Sequence, residues 1–288
     1  MDRYKHRKRK QQVHRQLFFT FLGIICVIGV GAVLGMGESD RAKPVKETAN
    51  AVKTEKQMET PEAEVQEETP EERLERVRRQ AKAGKYPKGV IELLDKNKAT
   101  VDYVEQYGEK KALPAAKTIG ENLVKGQIPH LLQWDQRWGY APYGTSNVAV
   151  SGCGPTCLSM VAAGLTGDSS LTPARLAAYG TKKGYVDKDN NTYWKFMSEG
   201  LARWNIDCYE TDMDKKRITA ELKAGHPVIL SVGPGDFTKI GHFIVLTEYT
   251  DGKIKVLDPF SQETTGKLWT FKRLAKQTKA AWVYSRKK

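Results

Sequence analysis

The stretch 151-SGCGPTCLSMV-161 sets one cysteine, Cys153, between two glycines and just ahead of a proline, with an apolar run behind it. Pro155 fits the first turn of a helix, where its missing N–H costs nothing. A cysteine at such a helix start meets unpaired backbone N–H groups and the positive end of the helix dipole. Both favour the thiolate, which is the nucleophilic form of the side chain. Gly152 and Gly154 remove side-chain bulk, so a tight turn is permitted and a substrate backbone can approach. The plain alternative is a structural cysteine buried at a turn. What separates the two is whether the rest of the chain supplies the partners a reactive thiol needs.

The first partner is a base. Beyond residue 37 the histidines are His130, His226 and His242. His226 in AGHPVIL sits on a turn before a strand, and His130 sits in a loop ahead of the main domain. His242 is better placed, because it follows Gly241 and opens the strand HFIVL, at the rim of a sheet. The imidazole in turn needs an orienting acceptor, and Asp258 ends KIKVLD, the partner strand of the same hairpin. A two-residue turn would set Tyr249 against Ile254 and put His242 and Asp258 on opposite faces. A three-residue loop, Thr250-Asp251-Gly252 with a left-handed Gly252 in a bulge, sets Asp258 against Ile244 and brings the pair together on one face. The catalytic reading therefore requires the bulged loop. Acyl transfer also needs donors for the developing oxyanion. The Cys153 backbone N–H is one. The amide of Gln133 in 129-PHLLQWDQRWGYAPYG-144 is the second, with Gln136 as the weaker choice, unless the segment is only a polar loop anchored by Trp134 and Trp138.

The ordered set QWDQRWG, SGCGPTCLSMV, GHPVIL, GHFIVL and VLDPF resembles the C39-like group of papain-fold cysteine peptidases, over roughly residues 127–285. The resemblance implies a papain-like fold, with Cys153 as nucleophile, His242 as general base and acid, Asp258 as the orienting residue and Gln133 in the oxyanion hole. A thiolate of this kind hydrolyses an amide through a thioester and needs no metal or cofactor. Zinc on Cys153, Cys157, Cys208 and His242 is disfavoured, because Cys153 and Cys157 are four apart and do not form a C-x2-C knuckle. Cys157 either packs in the helix–sheet core or pairs with Cys208.

The elements that must position these groups follow from periodicity and turn signals. PTCLSMVAAGLTG reads as a helix ended by Gly164 and Gly167. Thr172-Pro173 opens a second helix, NTYWKFMSEGLARWNI reads as a third and KKRITAELKAG as a fourth, closed by Gly225. Residues 227–232 (PVILSV) form a buried strand, then come the hairpin and two more strand candidates, KLWTFKRL and AWVYS. Helices first and strands later point to an α+β domain, a helix packed on an antiparallel sheet, over residues 127–288. Residues 70–126 read as a helical preface. Thr69 is its N-cap, Pro70 its first residue and Glu72 its capping partner, and Val90, Leu93, Leu94, Val101 and Val104 form its buried stripe.

The first 69 residues are of another kind. Residues 1–16 carry seven Lys/Arg and one Asp, and residues 17–37 carry no charge. Residues 38–75 carry twelve Asp/Glu against six Lys/Arg, while 76–288 are net +13. Leu17–Gly37 is long enough to cross a bilayer, which takes ~20 mostly apolar residues. It is longer than a secretory signal core and lacks a good cleavage site. The expectation is an uncleaved single-pass anchor, with the basic tail 1–16 cytoplasmic and the remainder extracytoplasmic. The acidic stretch 38–69 reads as a disordered linker.

Three functions compete on these features. The preferred one is a membrane-anchored extracytoplasmic cysteine peptidase acting on a peptide or protein. A cell-wall amidase or a transglutaminase-type acyl transferase would use the same residues. A non-catalytic surface-binding module would dock the basic ectodomain on anionic wall polymer or lipid headgroups. The basic run beside an apolar span is not read as a nucleic-acid tag, so no nucleic-acid partner is expected.

Overall fold

The computed structural model describes residues 68–287. The apolar segment Leu17–Gly37, its basic flank, Cys26 and the linker up to residue 67 lie outside the described residues. Among the described residues no helix is long and apolar enough to cross a membrane.

The preface begins with α1 (Pro70–Ala83). Thr69 and Glu72 form the expected capping box, each side chain bonding the other's backbone N–H, which satisfies two donors that a helix start leaves open. The chain then runs through short helical turns between Lys88 and Lys110. Val90, Leu93, Leu94 and Val104 are buried as expected, and Val101 is only half-buried.

The main domain opens with a small hairpin (Pro142–Tyr143 with Ser146–Asn147). Helix α2 (Cys153–Thr166) follows and stops at Gly167, whose φ of +76° is the left-handed conformation a helix end favours. Gly164, expected to share that role, lies inside the helix, where its bare Cα lets Ile128 pack closely. Next come α3 (Pro173–Lys182), capped by the Thr172 side chain, and α4 (Trp194–Glu199). The expected third helix is thus cut short. Its Ala202–Trp204 stretch becomes a single 3-10 turn, Asn205 takes a left-handed φ of +55°, and Ile206 already starts a strand.

That strand, β1 (Ile206–Thr211), was not legible in the sequence. After it come α5 (Lys215–Lys223), β2 (Val228–Val232), β3 (His242–Thr250), β4 (Lys253–Leu257), β5 (Leu268–Thr270), α6 (Phe271–Gln277) and β6 (Thr278–Arg286). The sheet is antiparallel throughout, in the order β1-β6-β2-β3-β4-β5. KLWTFKRL is half strand and half helix rather than one strand. Thr270 caps Arg273 N–H and turns the chain into α6, which buries Leu274. The fold is α+β, with an apolar core on each face of the sheet. Helices α2 and α4 pack on the face that carries Phe243, Val245 and Leu257, and α3 packs on α2. Ile218, Leu222 and Leu274 from α5 and α6 cover the face that carries Ile244, Leu246 and Val256.

The β3–β4 hairpin corrects one expectation and rescues its purpose. The turn has two residues, Asp251 and Gly252, with φ of +51° and +76°, the pattern of a primed turn. Tyr249 therefore faces Ile254, the register expected to separate His242 from Asp258. The register then slips between Glu248 and Leu246, because Thr247 is an extra residue in the ladder. Beyond this bulge Val245 pairs with Leu257, and Asp258 comes level with Ile244 as the site requires. The chain places its bulge in mid-strand, not at the turn.

Candidate active site

Cys153 is the first residue of α2, a helix of 14 residues. Negative charge on its sulfur lies at the favourable end of that dipole. The flanking glycines serve internal packing. A Cβ on Gly152 would come 2.4 Å from the Val148 carbonyl oxygen, and one on Gly154 would come 2.7 Å from Thr192. Gly152 has an ordinary φ of −90°, so the turn does not demand a glycine. The expected gain, room for a substrate backbone, is therefore not what fixes these two positions. The backbone folds tightly around the cysteine and leaves Cys153 itself half-buried.

His242 is the first residue of β3 and Asp258 the first residue beyond β4, so both stand at the same end of the sheet. His242 Nε2 donates to Asp258 Oδ1 at 2.7 Å, with the two side chains 9% and 1% exposed. The Cys153 sulfur interacts with the same ring. Since Nε2 is committed to the carboxylate, Nδ1 is the nitrogen left for the sulfur. Burial by itself would lower the imidazolium pKa. The Asp258 charge and hydrogen bond, helped by Cys153, outweigh it and raise the value to about 10. For Asp258, burial works against the carboxylate, but His242 and three hydrogen bonds hold its pKa below the ordinary range. Those bonds come from His242 Nε2, from the Phe260 N–H to Oδ1 at 2.8 Å and from the Thr264 hydroxyl to Oδ2 at 2.6 Å. The arrangement is an imidazolium clamped by a buried carboxylate, beside a thiol at a helix start. It can stabilise a thiolate and hand a proton to a leaving group.

Gln133 is buried, and its backbone N–H donates to the Pro259 carbonyl at 2.7 Å. Its side-chain Nε2 donates to the Ala149 carbonyl at 2.7 Å, which fixes the amide orientation and leaves one N–H on Nε2 unused by that bond. Gln133 Oε1 is buried without a hydrogen-bond partner. The alternative donor Gln136 is tied to the Lys110 ammonium instead. Trp134 and Trp138 do anchor the segment, donating to the Phe260 and Leu132 carbonyls. The anchoring role and the placement of Gln133 therefore coexist.

Residues 125–288, more than half of the chain, match the Peptidase_C39 like family. The chain belongs to that family. Comparison with curated proteins finds no match. Two solved structures resemble it. The peptidase domain of Streptococcus ComA, a bi-functional ABC transporter involved in quorum sensing, is 16% identical, with 48% of this chain and 93% of that one covered at a TM-score of 0.38. A protein from Bacillus anthracis described as a C39-like peptidase is 16% identical, with 59% and 98% covered at a TM-score of 0.32. The Peptidase_C39 like assignment thus rests on the family match and gives a cysteine-peptidase-like fold.

The remaining ionisable candidates of this C39-like chain fall elsewhere. His130 is not in a detached loop. Its Nε2 donates to the Asp258 backbone carbonyl at 2.7 Å, and burial lowers its pKa. It supports the backbone of Asp258 and leaves the sulfur to His242. His226 pairs with Glu221 at 2.7 Å beside α5. Cys153, Cys157 and Cys208 are all free thiols, so Cys157 does not pair with Cys208. Cys157 packs in the core against the sheet, and burial pushes its thiol well up. Cys208 donates to the Met197 carbonyl, and burial raises its pKa to about 12. Among the described residues no group of His, Cys, Asp and Glu is placed to hold a metal ion.

Sequence reasoning missed Thr264 and the Phe260 N–H, which complete the shell of Asp258. The signal was present in S-Q-E-T after DPF: Ser261 caps the short helix Gln262–Thr265, and that cap aims Thr264 back at the carboxylate.

Proposed function

We propose that this chain is a cysteine peptidase that hydrolyses peptide bonds, with Cys153 as nucleophile, His242 as general acid and base, Asp258 as the residue that orients His242, and Gln133 as an oxyanion donor. The observation that carries this reading is the 2.7 Å His242–Asp258 pair with Cys153 on the same imidazole at the start of α2. Membership of the Peptidase_C39 like family supports it.

The thiolate of Cys153 attacks the carbonyl carbon of the scissile amide, and the carbonyl electron pair moves onto oxygen. The Cys153 backbone N–H and the second N–H of Gln133 Nε2 accept that charge as oxyanion donors. The His242 imidazolium gives its Nδ1 proton to the amide nitrogen as the C–N bond breaks, leaving a thioester. A water then loses a proton to Nδ1 and attacks the thioester, and the sulfur leaves as thiolate beside the restored imidazolium. Asp258 stays ionised throughout and fixes the ring so that Nδ1 faces the sulfur.

The site of action in this proposal is outside the membrane, tethered by Leu17–Gly37. The support is the uncharged run of 21 residues between a basic and an acidic flank. Labelling with a thiol-reactive peptide electrophile tests the enzymatic part. Selective modification of Cys153, abolished in His242→Ala, is expected. Equal modification of Cys157 or Cys208 sinks it. Protease protection of the domain in sealed, right-side-out vesicles would sink the outward topology.

A further inference from the structure

The helical preface lies ahead of the family-matched region, yet it touches three of the four segments that carry a proposed catalytic residue, those of Gln133, Cys153 and Asp258. Its apolar cluster, built on Val77, Val90, Leu94 and Tyr103, also takes in Ala149, with Trp134, Val150 and Phe260 packed against it. Trp134 follows Gln133, Phe260 lies two residues after Asp258, and Ala149 is four residues before Cys153. One polar contact crosses this boundary with particular economy. Asn97 Nδ2 donates to the Phe260 carbonyl at 2.8 Å, and Trp134 Nε1 donates to the same oxygen at 2.9 Å. The N–H of Phe260 in turn donates to Asp258 Oδ1, the oxygen that accepts from His242.

We propose that Asn97 is a positioning residue for the active site: it holds the Phe260 peptide so that the Phe260 N–H and the Asp258 carboxylate keep the His242 ring facing Cys153. The proposal rests on the reading of Cys153, His242 and Asp258 as a catalytic set. Its physical basis is that one residue is fixed from both sides. The Phe260 carbonyl is pinned by Asn97 and Trp134, so its N–H has little freedom to swing away from Asp258. Without Asn97 the carbonyl keeps only the Trp134 bond, and the turn after Asp258 gains a degree of freedom at the group that sets the imidazole's orientation. The preface is then part of the catalytic apparatus of this chain, not a spacer.

Asn97 also has a plain local duty, since its Oδ1 caps the Ala99 N–H at 3.0 Å. Two variants separate the duties. Asn97→Asp keeps an acceptor for the cap, removes the donor and sets an oxygen against the Phe260 carbonyl. Asn97→Ala removes the donor and adds no charge. The readout is the rate of Cys153 alkylation by iodoacetamide in the full chain as a function of pH, with melting temperature recorded alongside. A less firmly held Asp258 stabilises imidazolium less, so the reactive thiolate forms at higher pH. Both variants should move the alkylation midpoint upward and slow alkylation at neutral pH by roughly 2- to 10-fold, the size of one hydrogen bond. Leu222→Ala, a substitution in the core on the far face of the sheet, should lower the melting temperature and leave the midpoint where it is.

A midpoint and rate in both Asn97 variants equal to those of the unmodified chain would overturn the proposal, whatever their melting temperatures. An equal shift in Leu222→Ala would also overturn it, by showing that lost stability alone moves the midpoint. If the unmodified chain shows no alkylation that depends on His242, the catalytic set itself is wrong, and this inference falls with it. That outcome differs from an activated Cys153 indifferent to Asn97.

Discussion

Two cysteines sit one turn apart on α2 and live in different chemistries. Cys153 occupies the leading position, half-exposed, beside an imidazole held as a cation by a buried carboxylate. Cys157 lies in the second turn with no exposed surface, packed into the core, and burial pushes its thiol well above the ordinary range. The residue type, the helix and the dipole are shared. The difference comes from what the sheet brings to each sulfur: its rim meets the first and its apolar face meets the second. A nucleophile is thus specified by the element opposite it as much as by its own helix.

The contrast can be broken most forcefully at the sulfur itself. Cys153→Ala should lower peptide hydrolysis by about 10⁵-fold or more, while Cys157→Ala leaves kcat/KM within a factor of a few. A comparable loss in both, measured on a general peptide substrate, would erase the distinction.

Asp258→Asn should cost on the order of 10²–10⁴-fold in kcat/KM, and it should also change the pH profile. In the unmodified protein the imidazolium persists to about pH 10, so the basic limb of the kcat/KM profile falls through that value. The folded pKa lies above the ordinary value, so the stability that His242 contributes is complete below about 6.5 and lost as pH rises through about 10. In Asp258→Asn the carboxylate no longer opposes burial, and the limb moves to lower pH. An unmoved limb would separate the imidazole from its proposed partner.

Gln133→Ala should lower kcat by about 10²-fold with little change in KM, as loss of one oxyanion donor does. A change confined to KM would assign the amide to ground-state binding. The smallest effect is expected at the buried thiol. Cys157→Ala should reduce stability by roughly 1 kcal/mol, a typical cost for emptying a small core site, and leave the pH profile of Cys153 alkylation unchanged. A shifted profile would show that the two turns of α2 are electrically linked.

Much of this arrangement was legible in the sequence because its signals are local. Thr69 and Thr172-Pro173 marked helix starts by their capping chemistry, and Gly167 marked a helix end by its freedom to take a left-handed backbone. Thr250-Asp251-Gly252 marked the place of the hairpin turn but not its length, and the order of Cys153, His242 and Asp258 along the chain matched a family pattern. What was not legible depends on partners remote in sequence. Strand β1, Ile206–Thr211, alternates poorly and buries only its two ends, so its strand character comes from pairing with β6. The segment Phe271–Gln277 turns helical because Leu274 finds the core on the far face of the sheet. Gly152 and Gly154 were read for what they leave open, when what they permit is close packing by Val148 and Thr192. His130 looked idle because its partner, the Asp258 carbonyl, is 128 positions away.

The bulged residue Thr247 frees the length of this hairpin from its register. Deleting it would close the bulge and leave Leu246 against Val256 and Asp258 level with Ile244, so His242 and Asp258 would stay on one side of the sheet. A residue inserted between His242 and Ile244 would instead carry His242 to the opposite side, since side chains alternate along a strand. Among descendants of this chain, then, loss of Thr247 should be tolerated where a single gain beside His242 is purged.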